Sequence, residues 1–256
     1  MADTTVDEVR YERVGAAAVL TIDRHHRRNA VNAPTAAALL AGYREFEADA
    51  DARVLVLTGA QGTFCAGADL IDIAGMEPRI WGADGPMGFS RRTSSKPVIA
   101  AVEGYAVAGG FELALWCDLR IVGRGAQFGF LERRWGVPLV DGGTQRLPHV
   151  IGLGRALELT LTGRLVAGDE ALAIGLANEV VEDGTALARA LELAELIGGF
   201  PQETMLADRA AMLDGLGRPI ADGLLIEMRR GNATIGVGTA GAARFAAGAG
   251  RGGTSA

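Results

Sequence analysis

The stretch of sequence that decides the fold, residues 97–112, reads PVIAAVEGYAVAGGFE. Its apolar first part, through Val102, is typical of a short strand buried on both faces of a parallel sheet. Two glycines, Gly109 and Gly110, then lead into an apolar helix. Strands that alternate with helices in this way indicate an α/β fold. The exposed N–H groups at the start of such a helix point at negative charge.

The same alternation extends over the first 150 residues. Residues 54–57 and 119–122 are short, apolar segments that we predict to be further strands of the same sheet. Residues 14–22 are predicted to form a strand that enters a basic loop, after which Asn32 caps a helix with Pro34 in its first turn. These elements favour one α/β core, which we expect to cover residues 1–195.

Beyond Gly152 the pattern becomes mainly helical. Amphipathic or apolar segments, separated by Gly, Asp and Pro, are predicted near residues 153–161, 168–174, 185–197, 203–214 and 220–230. We therefore expect residues 196–256 to form a helical C-terminal region.

Composition excludes several classes of protein. The chain has 256 residues, of which 49% are hydrophobic, enough to bury a sizeable core. Its 25 basic and 31 acidic residues give a net charge of −6, which argues against a nucleic-acid partner. No run approaches the roughly 20 apolar residues of a membrane span, and the N-terminus lacks a signal-peptide pattern, so we expect a cytoplasmic protein. Cys65 and Cys117 lack metal-ligand spacing, and we expect no metal site.

Three glycine-containing segments carry the candidate site residues. Residues 64–70 read FCAGADL, in which a tight turn before a helix could hold an anion on successive N–H groups. Glu112, in the first turn of the helix described above, could serve chemistry or only stabilise the helix dipole. Glu132 and Asp141 lie on either side of a Gly/Pro turn and could both serve chemistry. Alternatively, Glu132 forms an ion pair with a neighbouring arginine, and Asp141 stabilises a turn or caps a helix.

The order and spacing of these segments resemble the crotonase (enoyl-CoA hydratase) superfamily. The resemblance extends from residues 24–32 to residues 175–181, and is carried by FCAGADL, by AGGFE at residues 108–112 and by GGTQRL at residues 142–147. It implies an α/β spiral of ββα units and a homotrimer or dimer of trimers, with residues 196–256 as the trimerisation region. It also implies an acyl-CoA thioester as substrate and no separate cofactor.

The resemblance assigns roles to particular residues. The two oxyanion N–H groups of the family match Ala68 and Gly109, and its hydratase pair of glutamates matches Glu112 and Glu132. Contacts to coenzyme A or the rest of the substrate are expected from a set of residues in the basic loop and the first motif: Arg24, Arg27, Arg28, Ala66, Gly67, Asp69 and Leu70.

Three functions are compatible with the sequence. The leading expectation is hydration of a trans-2-enoyl-CoA to a 3-hydroxyacyl-CoA, in which two carboxyl groups, one ionised and one protonated, deliver water and a proton. The second is double-bond isomerisation, because Asp141 is similar in position to the aspartate that dienoyl-CoA isomerase-like members use as a base. The third is a non-catalytic acyl-CoA-binding protein on the same fold, against which the retention of both glutamates argues.

Overall fold

A computed structural model describes residues 8–249 of the chain. These residues divide into two compact units, with the division between Ile197 and Gly198. The first unit contains an α/β array, and the second contains the last two helices given below. The expected domain boundary, between residues 195 and 196, and the trimerisation role of the C-terminal region stay predictions.

The strands of the described residues are β1 Val9–Val14, β2 Ala17–Ile22, β3 Val54–Gly59, β4 Val98–Val102, β5 Tyr105–Val107, β6 Leu119–Gly123, β7 Gln127–Gly129, β8 Val166–Ala167 and β9 Glu179–Val181. The α-helices are α1 Ala33–Ala48, α2 Ile73–Met76, α3 Gly109–Trp116, α4 Gly143–Ile151, α5 Leu153–Thr162, α6 Gly168–Ala173, α7 Ala186–Gly198, α8 Gln202–Gly215 and α9 Ile220–Ala246. Short 3₁₀ turns lie at His25–Arg27, Leu70–Asp72, Glu77–Trp81 and Leu131–Trp135.

The larger sheet has the strand order β1-β2-β3-β4-β6-β9, and all its pairings are parallel except that of β1 with β2. All five residues of β4 are buried, as are the first five of β3, because apolar side chains pack on both faces of these strands. On one face the main core includes Leu39 and Phe111, and on the other Ala190 of α7 joins the second core cluster. The α/β alternation and the three central strands are confirmed.

The strand predicted at residues 14–22 is confirmed over Ala17–Ile22, but its start is wrong, because two strands meet there. β1 and β2 form an antiparallel hairpin in which Val14 pairs with Ala17, and Gly15 turns the chain with φ +57°. Arg10, Glu12 and Arg13 are mostly exposed on β1, which lies at the edge of the sheet. An edge strand of this kind lacks the apolar run that predicts the inner strands.

A second, three-stranded sheet has the order β5-β7-β8. Its strands contain only two or three residues each, too few to give a period in the sequence. Isolated parallel bridges also join Cys65 to Ala106 and Val31 to Ala68. These pairings bring the first glycine-containing motif beside the start of α3.

Local capping explains where the helices begin. The Asn32 side chain accepts a hydrogen bond from Thr35 N (3.0 Å) at the start of α1, and Pro34 lies in the first turn, as the sequence predicts. The helices expected beyond Gly152 are confirmed, although α9 continues to Ala246 rather than ending near residue 230. Within residues 8–249, no helix is both long and apolar enough to cross a bilayer.

Candidate active site

One cavity of about 830 Å³ lies among residues that are far apart in the sequence. Its lining includes the five residues for which the sequence predicts catalytic roles: Ala68, Gly109, Glu112, Glu132 and Asp141. A group of three or more His, Cys, Asp or Glu side chains suited to a metal ion is not found in the described part of the chain.

The start of α3 is set by a strained residue. Ala108, which precedes the helix, has φ +53° and ψ −127°, a conformation that costs a non-glycine residue about 1–3 kcal/mol. It is held there by a hydrogen bond from its own N–H to Gly129 O (2.9 Å) on β7. The helix therefore begins abruptly at Gly109, and the Gly109 N–H has no carbonyl of a preceding turn to bond.

The turn that carries Ala68 packs directly against this helix start. Cys65 N donates to Tyr105 O (2.8 Å), and Val107 N donates to Cys65 O (3.0 Å). Gly67 has φ +91°, and a methyl group at this position would lie only 2.9 Å from Gly109 N. Within residues 8–249 neither Ala68 N nor Gly109 N donates a hydrogen bond. Two unoccupied donors thus lie close together in the cavity wall.

Glu112 is buried, with 2% of its surface exposed, and one carboxylate oxygen is fixed. Its Oε1 accepts hydrogen bonds from Gly143 N (2.7 Å) and Asp141 N (3.0 Å). Burial and the nearby charge of Asp141 raise the pKa of Glu112 to about 8, while the two N–H donors act in the opposite direction. Glu112 therefore presents to the cavity a buried carboxyl group that binds a proton more tightly than an exposed glutamate does.

Glu132 lies in the 3₁₀ turn Leu131–Trp135 and is also buried. Neither of its carboxylate oxygens has a hydrogen-bond partner within residues 8–249, and the nearest cation, Arg133 Nη2, is 4.0 Å from Oε1. Burial raises the pKa of Glu132 to about 7, although its own main-chain N–H and the charge of Arg133 oppose that rise. A buried carboxyl group without donors destabilises a protein, and such groups are concentrated at functional sites.

Asp141 is the third buried carboxyl group of the cavity. Its Oδ1 accepts hydrogen bonds from Met87 N (2.9 Å) and from the Ser90 hydroxyl. Burial raises the pKa of Asp141, and the bonds from Ser90 and Met87 oppose that rise. The N-cap of α4 is Gly142, so Asp141 is not the helix cap that its position allows.

The residues expected to bind the substrate divide into two groups. Those that line the cavity are Arg27, Arg28, Ala66, Asp69 and Leu70, whereas Arg24 and Gly67 do not. Gly67 serves instead as the point of close approach described above.

Arg24 differs from the other predicted substrate contacts, because its guanidinium already has partners within the protein. Arg24 is buried, and its Nη1 donates to Asp69 Oδ2 (2.6 Å) and to Ala30 O (3.1 Å) while Nε donates to Glu8 (2.9 Å). The guanidinium is engaged in holding the basic loop to the first motif. Asp69 in turn accepts from Ile71 N (3.0 Å) at the following 3₁₀ turn.

Sequence reasoning missed two kinds of supporting residue. Asn29 is fully buried, with φ +56°, and its side-chain amide donates to Ala60 O and Thr63 O, joining two loops. Its sequence signal was an Asn, a residue that tolerates a left-handed conformation, in a loop of charged residues. Met87 and Ser90, which bond Asp141, lie in an irregular segment whose sequence carries no comparable signal.

Comparison with known proteins identifies the family of the chain. A model of the enoyl-CoA hydratase/isomerase family matches residues 12–227. The chain belongs to this family. A short-chain-enoyl-CoA hydratase of Clostridium acetobutylicum is 38% identical over 80% of this chain and 81% of its own length. The enoyl-CoA hydratase EchA19 of Mycobacterium tuberculosis is 39% identical over 73% of each chain.

The fold of this family member is also that of solved relatives. The crystal structure of the enoyl-CoA hydratase EchA1 from Mycobacterium marinum has a TM-score of 0.85, with 37% identity over 94% of both chains. The predicted crotonase fold, an α/β core with a helical C-terminal region, is therefore confirmed.

Proposed function

We propose that this family member hydrates trans-2-enoyl-CoA thioesters to 3-hydroxyacyl-CoA. One observation carries the proposal: two buried glutamates with raised pKa values line the same cavity as two adjacent, unoccupied backbone donors. An acyl thioester that accepts hydrogen bonds from Ala68 N and Gly109 N would place its neighbouring carbons among the carboxyl groups.

The backbone donors would stabilise the reacting thioester. When the oxygen of water adds to C3, the electrons of the C2–C3 double bond shift and negative charge develops on the thioester oxygen. The Ala68 and Gly109 N–H groups would meet that charge, and a donor of this kind is typically worth about a hundred- to a thousandfold in rate. Because the donors are already fixed by the Ala108 turn, they need no reorganisation during the reaction.

The two glutamates would divide the proton transfers. We propose that Glu112 removes a proton from the attacking water, because the two N–H donors at its Oε1 stabilise the ionised carboxylate against the effect of burial. Glu132, whose oxygens accept no hydrogen bond from the described residues, would deliver a proton to C2. The two groups titrate as a coupled pair, and the reaction needs one proton on the pair, not two or none.

Coenzyme A would be held at the mouth of the cavity. Arg27 and Arg28 are exposed and line it, so we propose that they contact the phosphates of coenzyme A. The chemistry described requires no cofactor beyond the coenzyme A of the substrate. The product of the reaction leaves as the free 3-hydroxyacyl thioester.

Isomerisation is the second candidate, and the position of Asp141 in the cavity favours it. Asp141→Asn separates the two reactions, because a hydratase should retain most of its rate while an isomerase that uses this carboxyl group should lose it. A product screen over enoyl-, dienoyl- and 3-hydroxyacyl-CoA thioesters then tests the proposed function. Loss of enoyl-thioester absorbance supports hydration, and no reaction with any thioester would favour the non-catalytic, acyl-CoA-binding alternative.

We also propose that the chain assembles as a homotrimer or a dimer of trimers in the cytoplasm. Large apolar side chains of α8 and α9 are exposed in the single chain, among them Met212, Ile220 and Met228. Burial of such residues would stabilise an assembly. Light scattering on the purified protein tests the stoichiometry.

A further inference from the structure

One wall of the cavity comes from residues 80–91, which we name the wall segment. Its residues Ile80, Pro86 and Met87 line the cavity. Met87 lies against the proposed oxyanion donor, since a methyl group at Gly109 would lie 2.9 Å from Met87 Sδ. The position of the wall segment therefore affects both the space for the acyl chain and the surroundings of the thioester.

Hydrogen bonds join the wall segment to the residues that follow the Gly/Pro turn. Asp141 Oδ1 accepts from Met87 N and from the Ser90 hydroxyl, and Met87 and Ser90 are both fully buried. Gly85 has φ +87°, and a methyl group there would collide with Ser90 Oγ and lie 3.2 Å from Asp141 Oδ1. The segment is thus folded tightly around this one carboxylate oxygen.

Two arginines reinforce the attachment. Arg146 donates from Nη1 to Asp141 O (2.8 Å) and from Nη2 to Ser90 O (2.6 Å). Arg91 donates to Gly82 O (2.9 Å), within the wall segment, and to Val140 O (3.0 Å), outside it. Each guanidinium bridges the wall segment and residues 140–141.

The same residue is bonded to the proposed base. Asp141 N donates to Glu112 Oε1 (3.0 Å), beside the bond from Gly143 N. A single residue therefore contacts the wall segment through its side chain and Glu112 through its main chain.

We propose that Asp141 is a positioning residue that fixes the wall segment relative to Glu112, and so determines which acyl chains are hydrated efficiently. In this role Oδ1 acts as a hydrogen-bond acceptor and no proton is transferred. The claim that Asp141 determines which acyl chains react rests on the proposed function. The attachment of the wall segment can be measured without substrate.

The experiment compares Asp141→Asn, Asp141→Ala and Ser90→Ala with the wild-type protein. Asparagine keeps an oxygen that can accept from Met87 N and Ser90 Oγ, but alanine does not. Asp51→Ala is the matched control, because Asp51 is exposed in the turn before β3 and does not line the cavity. Thermal melting establishes that each variant is folded.

The first readout is hydrogen–deuterium exchange of residues 80–91 in the ligand-free protein. We expect exchange to rise about tenfold or more in Asp141→Ala, less in Ser90→Ala and little in Asp141→Asn. Unchanged exchange in a folded Asp141→Ala protein would overturn the attachment, whether or not the chain is a hydratase.

The second readout is kcat/KM for a series of trans-2-enoyl-CoA thioesters of increasing chain length. Asp141→Ala should alter the chain-length profile and lose about tenfold to a hundredfold on the preferred substrate, while Asp141→Asn retains the wild-type profile. Equal losses in both variants would show that the charge matters and would overturn positioning. If the wild-type protein hydrates no thioester, the proposed function fails while the exchange result still decides the attachment.

Discussion

Gly67→Ala changes the distance between the two backbone donors without altering any candidate side chain. With φ +91° at Gly67, the added methyl group would lie 2.8 Å from Ala108 Cβ and 2.9 Å from Gly109 N. Carbon atoms in ordinary contact are about 3.5–4.0 Å apart. The turns that carry Ala68 and Gly109 must therefore separate by about 0.5 Å or more.

This displacement sets the expected size of the effect. Complete loss of one oxyanion donor costs about a hundred- to a thousandfold in rate, so we expect a displaced pair to lose about tenfold to a hundredfold in kcat. KM should change less, because the donors act mainly on charge that develops in the transition state. The positive φ adds a destabilisation of about 1–2 kcal/mol, since alanine disfavours this conformation.

Hydration of crotonyl-CoA, followed by loss of enoyl-thioester absorbance, measures the rate. Gly62→Ala is the matched control: Gly62 has φ +71°, but no atom lies within 4 Å of the added methyl group. It should lower thermal stability similarly and leave kcat near the wild-type value. If folded Gly67→Ala turns over as fast as Gly62→Ala, the close approach of the two turns is not part of catalysis.

Four further predictions concern the carboxyl groups and the basic loop. Glu112→Gln and Glu132→Gln should each lower kcat by about a hundredfold or more. Both variants should melt like the wild type, because glutamine keeps the side-chain volume and, at position 112, the acceptor for two N–H groups. Near-full activity in both variants would exclude the two-glutamate mechanism. Activity should fall as pH rises above about 8, because the coupled pair of Glu112 and Glu132 then loses its last proton and neither carboxyl group can protonate C2; a kcat profile that stays flat through this range would contradict the proposed mechanism. Because the pKa of Glu132 is raised, the folded state binds the proton of this carboxyl group more tightly than the unfolded state does. The stability of the protein should therefore decrease from near pH 4.5 to about 7. Thermal melts across that range should show a smaller decrease in Glu132→Gln. Arg24→Ala should lower the free energy of unfolding by about 3 kcal/mol in urea titrations, because it leaves Asp69 buried without its ion pair. Arg27→Ala should mainly raise KM. The reverse pattern would show that Arg24, rather than Arg27, contacts the substrate.

The sequence was most informative where one element is specified by its own residues. The apolar runs at β3, β4 and β6 predict buried parallel strands, and Asn32 with Pro34 predicts the start of α1. The hairpin of β1 and β2 was missed because an exposed edge strand tolerates charged residues.

Side-chain partners were less predictable, because they depend on contacts between distant segments. Arg24 stands in an exposed-looking run of basic residues, yet it is buried beside Asp69, 45 positions away. The bonds from Met87 and Ser90 to Asp141 likewise join an irregular segment to a turn more than 50 positions further on. Only the fold reveals that these polar groups satisfy one another.

Isotope labelling tests the central claim most directly. The purified protein is incubated with crotonyl-CoA in water enriched in ¹⁸O, and the product is analysed by mass spectrometry, beside the Glu112→Gln and Glu132→Gln variants. We expect a 3-hydroxyacyl thioester that carries one ¹⁸O at C3, formed rapidly by the wild type and far more slowly by both variants. A product without label, or equal labelling rates in all three proteins, would contradict the account.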